Sequence, residues 1–108
     1  MSAPFRLTPE AIQDPDNIWW FIADQNKEAA DRVEAEIVAT CRRLAEYPLI
    51  GHPRRDITPQ AVRFWTLRKY PNYVIIYRPE TKPLQVVAIL QGKRDIKAIL
   101  NAREVGNL

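Results

Sequence analysis

The stretch VRFWTLRKYPNYVIIYRPETKPLQVVAILQ, residues 62–91, decides the fold. β-Branched and aromatic residues dominate three runs within it, 62–70, 73–79 and 84–91, the composition that a pleated, half-buried surface selects. Pro71-Asn72 separates the first pair of runs and residues 80–83 the second. Connections this short make neighbouring strands antiparallel. Residues 86–90 are apolar on both faces, so the third strand is expected to be central and covered by helices on at least one side.

Strand alternation sorts the side chains. Arg63, Trp65, Leu67 and Lys69 share one face of the first strand; Val62, Phe64, Thr66 and Arg68 share the other. In the second strand Tyr73, Ile75 and Tyr77 oppose Val74, Ile76 and Arg78. Each strand therefore pairs an apolar side with one that ends in cations. The third leaves the core through Gln91, Gly92, Lys93 and Arg94, and DIKAILNA, residues 95–102, reads as a short final helix capped by Asp95.

Upstream of the strands, LIGHPRRDITPQA is a loop punctuated by proline and glycine, with His52 in it as a solvated imidazole. KEAADRVEAEIVATCRRLAEYP is the clearest helix: Ala30, Val33, Ile37, Cys41 and Leu44 step by three or four. Cys41 lies on that stripe and reads as core. In DPDNIWWFIADQN, Asp14 suits an N-cap and Pro15 the first helical position. Ile18, Phe21 and Ile22 recur at helical spacing, and Asn26 breaks the two helices into an antiparallel hairpin. Trp19 and Trp20 cannot both join the apolar stripe, so one packs under the next helix or meets a partner. Phe5 and Leu7 alternate with Arg6 as in a half-buried strand. The expected fold is α+β in a single domain spanning 1–108: a small antiparallel β-sheet packed against an N-terminal α-helical hairpin, with a short C-terminal helix.

Composition excludes several function classes. With 108 residues, 46% hydrophobic and 27% charged, the chain has ordinary globular character. No apolar run approaches the roughly 20 residues that cross a bilayer, and MSAPFRLTPE lacks the apolar core of a signal peptide; the expected location is the cytoplasm. One cysteine permits no internal disulfide, and one cysteine with one histidine makes a poor metal site. Three scattered glycines exclude glycine-rich phosphate loops. Charge is uneven. Residues 1–50 hold five cations against nine acids, and residues 51–108 hold eleven against four. Such asymmetry points to a polyanion or an acidic partner for the basic half, and cations beside flat rings suit single-stranded nucleic acid.

Taken together, IWWFIADQNKEAADR, LAEYPLIGHPRRD, VRFWTLRKYPNYVIIYRP and VVAILQGKRDIKAIL resemble, in order and spacing, the RelE/ParE family of bacterial toxins from type II toxin–antitoxin systems. The QGKRD exit and the long hairpin are closer to the ParE branch, which includes plasmid stabilization proteins. The resemblance implies a toxin neutralised by a cognate antitoxin, in an oligomer with it, with no cofactor, metal or membrane. A ParE-like member would inhibit DNA gyrase without catalysis, through a target-facing rim of Arg63, Arg78, Gln91, Lys93 and Arg94. A RelE-like member would instead cleave mRNA within the ribosome, with Arg63, Arg78 and Arg94 as its catalytic cations. Gln91 stands where relatives often carry histidine, and glutamine transfers no proton at neutral pH, which favours gyrase; an inactive relative is the remaining alternative. Trp19, Trp20, Arg68 and Lys69 are the expected antitoxin-binding residues.

Overall fold

The computed structural model describes residues 3–104. The chain runs β1 (Phe5–Leu7), a 3-10 turn (Pro9–Ala11), α1 (Gln13–Ala23), α2 (Lys27–Glu46), β2 (Arg63–Thr66), β3 (Tyr73–Arg78), β4 (Leu84–Gln91) and α3 (Ile96–Glu104). The class is α+β as expected, with one amendment. The sheet order is β1-β4-β3-β2, and β1 pairs with β4 in parallel, Phe5 opposite Leu84 and Leu7 opposite Val86. The sheet is therefore mixed. Only the hairpin-linked strands β2, β3 and β4 are antiparallel. The long path from β1 through both helices and two strands frees β1 to take the far edge of β4 in either direction.

The hairpin covers one face of the sheet. Ile18, Val33, Ile37, Cys41 and Leu44 pack on Ile75, Tyr77, Val86 and Ile89. Asn26, expected as a break, is the N-cap of α2, its side chain accepting from the Ala29 N–H at 3.0 Å. The opposite face is not the open basic surface expected from strand alternation. Val62, Phe64, Val74, Ile76, Val87, Ala88 and Leu90 are buried there with Leu100, beneath Ile57, Ile96 and Ile99. The last helix and the 53–61 loop thus form a second lid, anchored by the Gln60 side-chain amide donating to the Leu100 carbonyl at 3.1 Å. Asp95 caps α3 through the Ala98 N–H, as expected. The run 62–70 yields a shorter strand than anticipated, because Leu67 turns back to bond Tyr73 and the Tyr70 carbonyl closes the turn.

Two close contacts fix the layers. Tyr77, fully buried, donates its hydroxyl to the Pro48 carbonyl at 2.7 Å and accepts from the Gly51 N–H at 3.0 Å. A Cβ on Gly51 would stand 2.5 Å from that hydroxyl and 2.9 Å from the Phe64 carbonyl oxygen, so only glycine fits. The second contact corrects the reading of Asp14. It is no N-cap; it lies inside α1 and is buried. Its Oδ2 accepts from the Ile89 N–H at 2.9 Å and from Arg103 Nη1 at 2.7 Å, and its Oδ1 accepts from Arg103 Nη2 at 2.9 Å. Arg103 Nη1 also donates to the Val87 carbonyl at 2.9 Å. Val87 is the extra residue of a β-bulge, since Ile76 pairs with Ala88 while Tyr77 pairs with Val86. β1 ends beside Val86, so the carboxylate and guanidinium complete the edge of β4 that β1 does not reach.

Asp14→Ala removes the carboxylate that faces the Arg103 guanidinium and leaves the Ile89 N–H without its acceptor, and a cost of about 3 kcal/mol is expected; the double variant with Arg103→Ala is expected to lose less than the sum of the singles. Urea unfolding measures both. Burial pushes the Cys41 thiol up to about 12 from 9.0. The unfolded thiol ionises first, so the stability present below pH 9.0 is lost as pH climbs toward about 12. Cys41→Ala is expected to flatten that alkaline slope in pH-dependent melting.

Candidate functional site

Antiparallel pairing decides which cations meet. Tyr73 opposes Gln91, so the 67–72 turn lies beside the exit of β4. The Gly92 N–H donates to the Asn72 carbonyl at 2.7 Å and locks the two segments together. Lys93 and Arg94 follow in a turn closed by the Arg94 N–H on the Gln91 carbonyl at 3.1 Å, and both are exposed. Arg68 and Lys69 are exposed on the neighbouring turn, and the Arg68 guanidinium lies 5.6 Å from the centre of the Trp65 ring, within cation–π range. Phe21, reaching over from α1, is 67% exposed. It walls a recess of about 350 Å³ together with Pro71, Asn72, Tyr73, Gln91, Gly92 and Lys93. A second recess, of about 200 Å³, shares Phe21 and ends on Asn17 and Arg94.

Arg63 and Arg78 do not belong to this group. They sit at the other end of β3, about 17 Å away at ~3.4 Å per residue, where Arg63 opposes Tyr77 and Arg78 opposes Gln85. Both are engaged by the protein itself. Arg63 Nη1 donates to the carbonyls of Gly51 at 2.7 Å and Leu49 at 3.3 Å, and Arg78 Nη1 to Gln85 Oε1 at 2.6 Å. The single rim read from the sequence is thus two separate ends, one that staples the 48–51 loop and one with exposed cations. His52 is exposed and bridges Phe64 through backbone bonds.

On α1, Trp19 and Trp20 meet edge to face, their ring centres 5.0 Å apart. Trp19 Nε1 donates to Asp31 Oδ1 at 2.8 Å and so ties α1 to α2, whereas Trp20 is 69% exposed. Sequence reasoning missed Phe21, which it placed in the core stripe. The observed inner stripe is Ala11, Asp14, Ile18 and Ile22, which puts Phe21 outside. The i, i+4 spacing of Asp14 to Ile18 was the available signal. Among the described residues, no group of three or more His, Cys, Asp or Glu is placed to hold a metal ion, and no helix is long and apolar enough to cross a membrane.

Residues 5–96 match the family model of the ParE toxin of type II toxin–antitoxin systems, parDE. The chain belongs to the ParE toxin family. A solved structure described as the chromosomal ParDE toxin–antitoxin system from P. aeruginosa shares the ParE fold seen here, with TM-score 0.65 and 24% identity over 81% of this chain and 92% of that one. Among curated proteins nothing matches.

The two cationic ends of this ParE-family chain should respond differently to substitution. Arg63→Ala removes a charged donor from two carbonyls and is expected to lower stability by about 2 kcal/mol. Lys93→Ala with Arg94→Ala removes exposed charges only, and the expected change is within about 0.5 kcal/mol. Parallel urea titrations check the contrast.

Proposed function

We propose that this protein is the toxin of a type II toxin–antitoxin module, that it inhibits DNA gyrase in the cytoplasm, and that a cognate antitoxin neutralises it by forming an oligomer with it. The observation that carries the reading is the ParE family match over residues 5–96. The geometry is consistent with it. Lys93 and Arg94 stand at an exposed exit of β4, stiffened by the Gly92–Asn72 bond, so a macromolecule can meet them without rearrangement of the fold. Arg63 and Arg78, the cations that a ribonuclease reading would need, are occupied by Gly51, Leu49 and Gln85. Of the three cations that the ribosome-dependent nuclease reading calls on, only Arg94 is left exposed with no hydrogen-bonded partner for its side chain among the described residues. Trp20 and Phe21 give the hairpin an exposed apolar surface for the antitoxin to cover.

Purified protein is expected to block supercoiling by gyrase and to leave mRNA on translating ribosomes uncut. Lys93→Ala with Arg94→Ala is expected to relieve growth arrest while the melting temperature stays within about 2 °C of the parent. Co-expression of the neighbouring reading frame is expected to restore growth. New mRNA cuts that Arg78→Ala abolishes, with supercoiling untouched, would overturn the reading.

A further inference from the structure

Among the described residues, five of the eleven arginines hold oxygen atoms of the fold. Arg54 pairs with Asp56, Arg55 donates to the Pro59 carbonyl, and Arg63, Arg78 and Arg103 hold groups of the protein itself. Arg68, Lys69, Lys93 and Arg94 differ: among the described residues none of them forms an ion pair, and all four are exposed. Asp95, next to Arg94 in the chain, is committed to the Ala98 N–H, and Asp14, which lines a recess with Arg94, is committed to Arg103 and Ile89. The four cations come from two segments that the Gly92–Asn72 bond joins. Lys93 and Arg94 each line a recess walled by the exposed ring of Phe21, and Arg68 and Lys69 stand on the adjoining turn.

We propose that this end of the sheet binds a single-stranded polynucleotide, with phosphates on Arg68, Lys69, Lys93 and Arg94 and a base against Phe21. The arrangement supplies what such a strand requires, charge along a backbone path and an open aromatic ring beside Lys93 and Arg94. The recess behind Phe21 has Pro71 and Tyr73 as apolar walls and Asn72 and Gln91 as amide donors and acceptors. A recess of about 350 Å³ lined by a ring and a turn has room for an unstacked base, and unstacked bases belong to single strands. An acidic peptide could use the cations but would have no need of the ring. Arg68 and Lys69, expected from the sequence to meet the antitoxin, join Lys93 and Arg94 in this surface. Binding of this kind requires no gyrase, so it and gyrase inhibition can fail independently.

Fluorescence anisotropy with labelled oligothymidine and oligouridine, titrated across salt concentrations, tests the proposal on the full chain. Four phosphate contacts give a slope of log affinity against log salt of about −3, and Lys93→Ala with Arg94→Ala is expected to halve it to about −1.5. Phe21→Ala is expected to weaken binding about tenfold with the slope unchanged. Phe21→Leu, which keeps an apolar side chain but loses the ring, should do the same. Arg42→Ala with Arg43→Ala, which removes two exposed cations from α2, should leave both quantities within about twofold. Binding of the DNA strand, the RNA strand or both supports the proposal and identifies the sugar preferred. Any of three results overturns it: no binding at low salt, equal binding of polyglutamate with Phe21→Ala silent, or an equal loss from the Arg42 and Arg43 substitutions.

Discussion

A strand buried on both faces still has two edges to satisfy, and β4 satisfies one of them only partly with backbone. β3 runs along one side, but β1 covers just three residues of the other. Beyond Val86 the carbonyl of Val87 and the N–H of Ile89 are met by Arg103 and Asp14, which also meet each other. Unmet, each backbone group would cost about 1–3 kcal/mol in the interior. The pair therefore does more than neutralise charge. It holds the first helix to the last across the end of the sheet, and through α3 it closes the lid over Leu90 and Ile76. Among the described residues no buried side-chain nitrogen or oxygen lacks a partner, which fits an interior in which the few polar atoms are fully committed. The Asp14 carboxylate, through its hydrogen bonds, also holds the Arg103 guanidinium protonated above its ordinary range.

Commitment of charge separates structure from recognition here. At one end of the sheet Arg63 and Arg78 are fixed by carbonyl and amide oxygens, and Tyr77 stitches the same region to the 48–51 loop. At the other end the cations project from bonded turns without ion pairs of their own among the described residues, Arg68 lying over the Trp65 ring. The hairpin carries most of the acid, so the molecule has a negative flank and a positive tip. A partner with phosphates would be steered tip first.

Much of this was legible in the sequence. Periodicity located both hairpin helices, the hairpin-linked strands and the central position of β4, because each signal is local and repeats over many residues. Asp95 was read correctly as a cap since a cap acts within three residues. What failed was long-range. Nothing near Asp14 in the chain announces Arg103, and a helix-start pattern, Asp followed by Pro, offered a local explanation that was wrong. The parallel pairing of β1 depends on a strand some eighty positions later. The second lid was missed because DIKAILNA is short, and its Ile96, Ile99 and Leu100 declare an apolar side without saying what it covers. At the candidate site, Lys93 and Arg94 were found from their abrupt position after an apolar run. Their separation from Arg63 and Arg78 needed the register, since alternation assigns faces but not ends.

The parallel union of the first strand with the last sets an order of events during synthesis. Phe5 leaves the ribosome well before its partner Leu84 is made, and the clasp on Asp14 waits for Arg103. Until then the nascent chain can form its helical pair but not its central layer, and such distant pairings are slow to close. The positive tip is assembled in the same final step, because Gly92 must find Asn72. The mixed sheet, the Asp14 clasp and the positive tip thus close together, after the segment from Leu84 to Arg103 has been made.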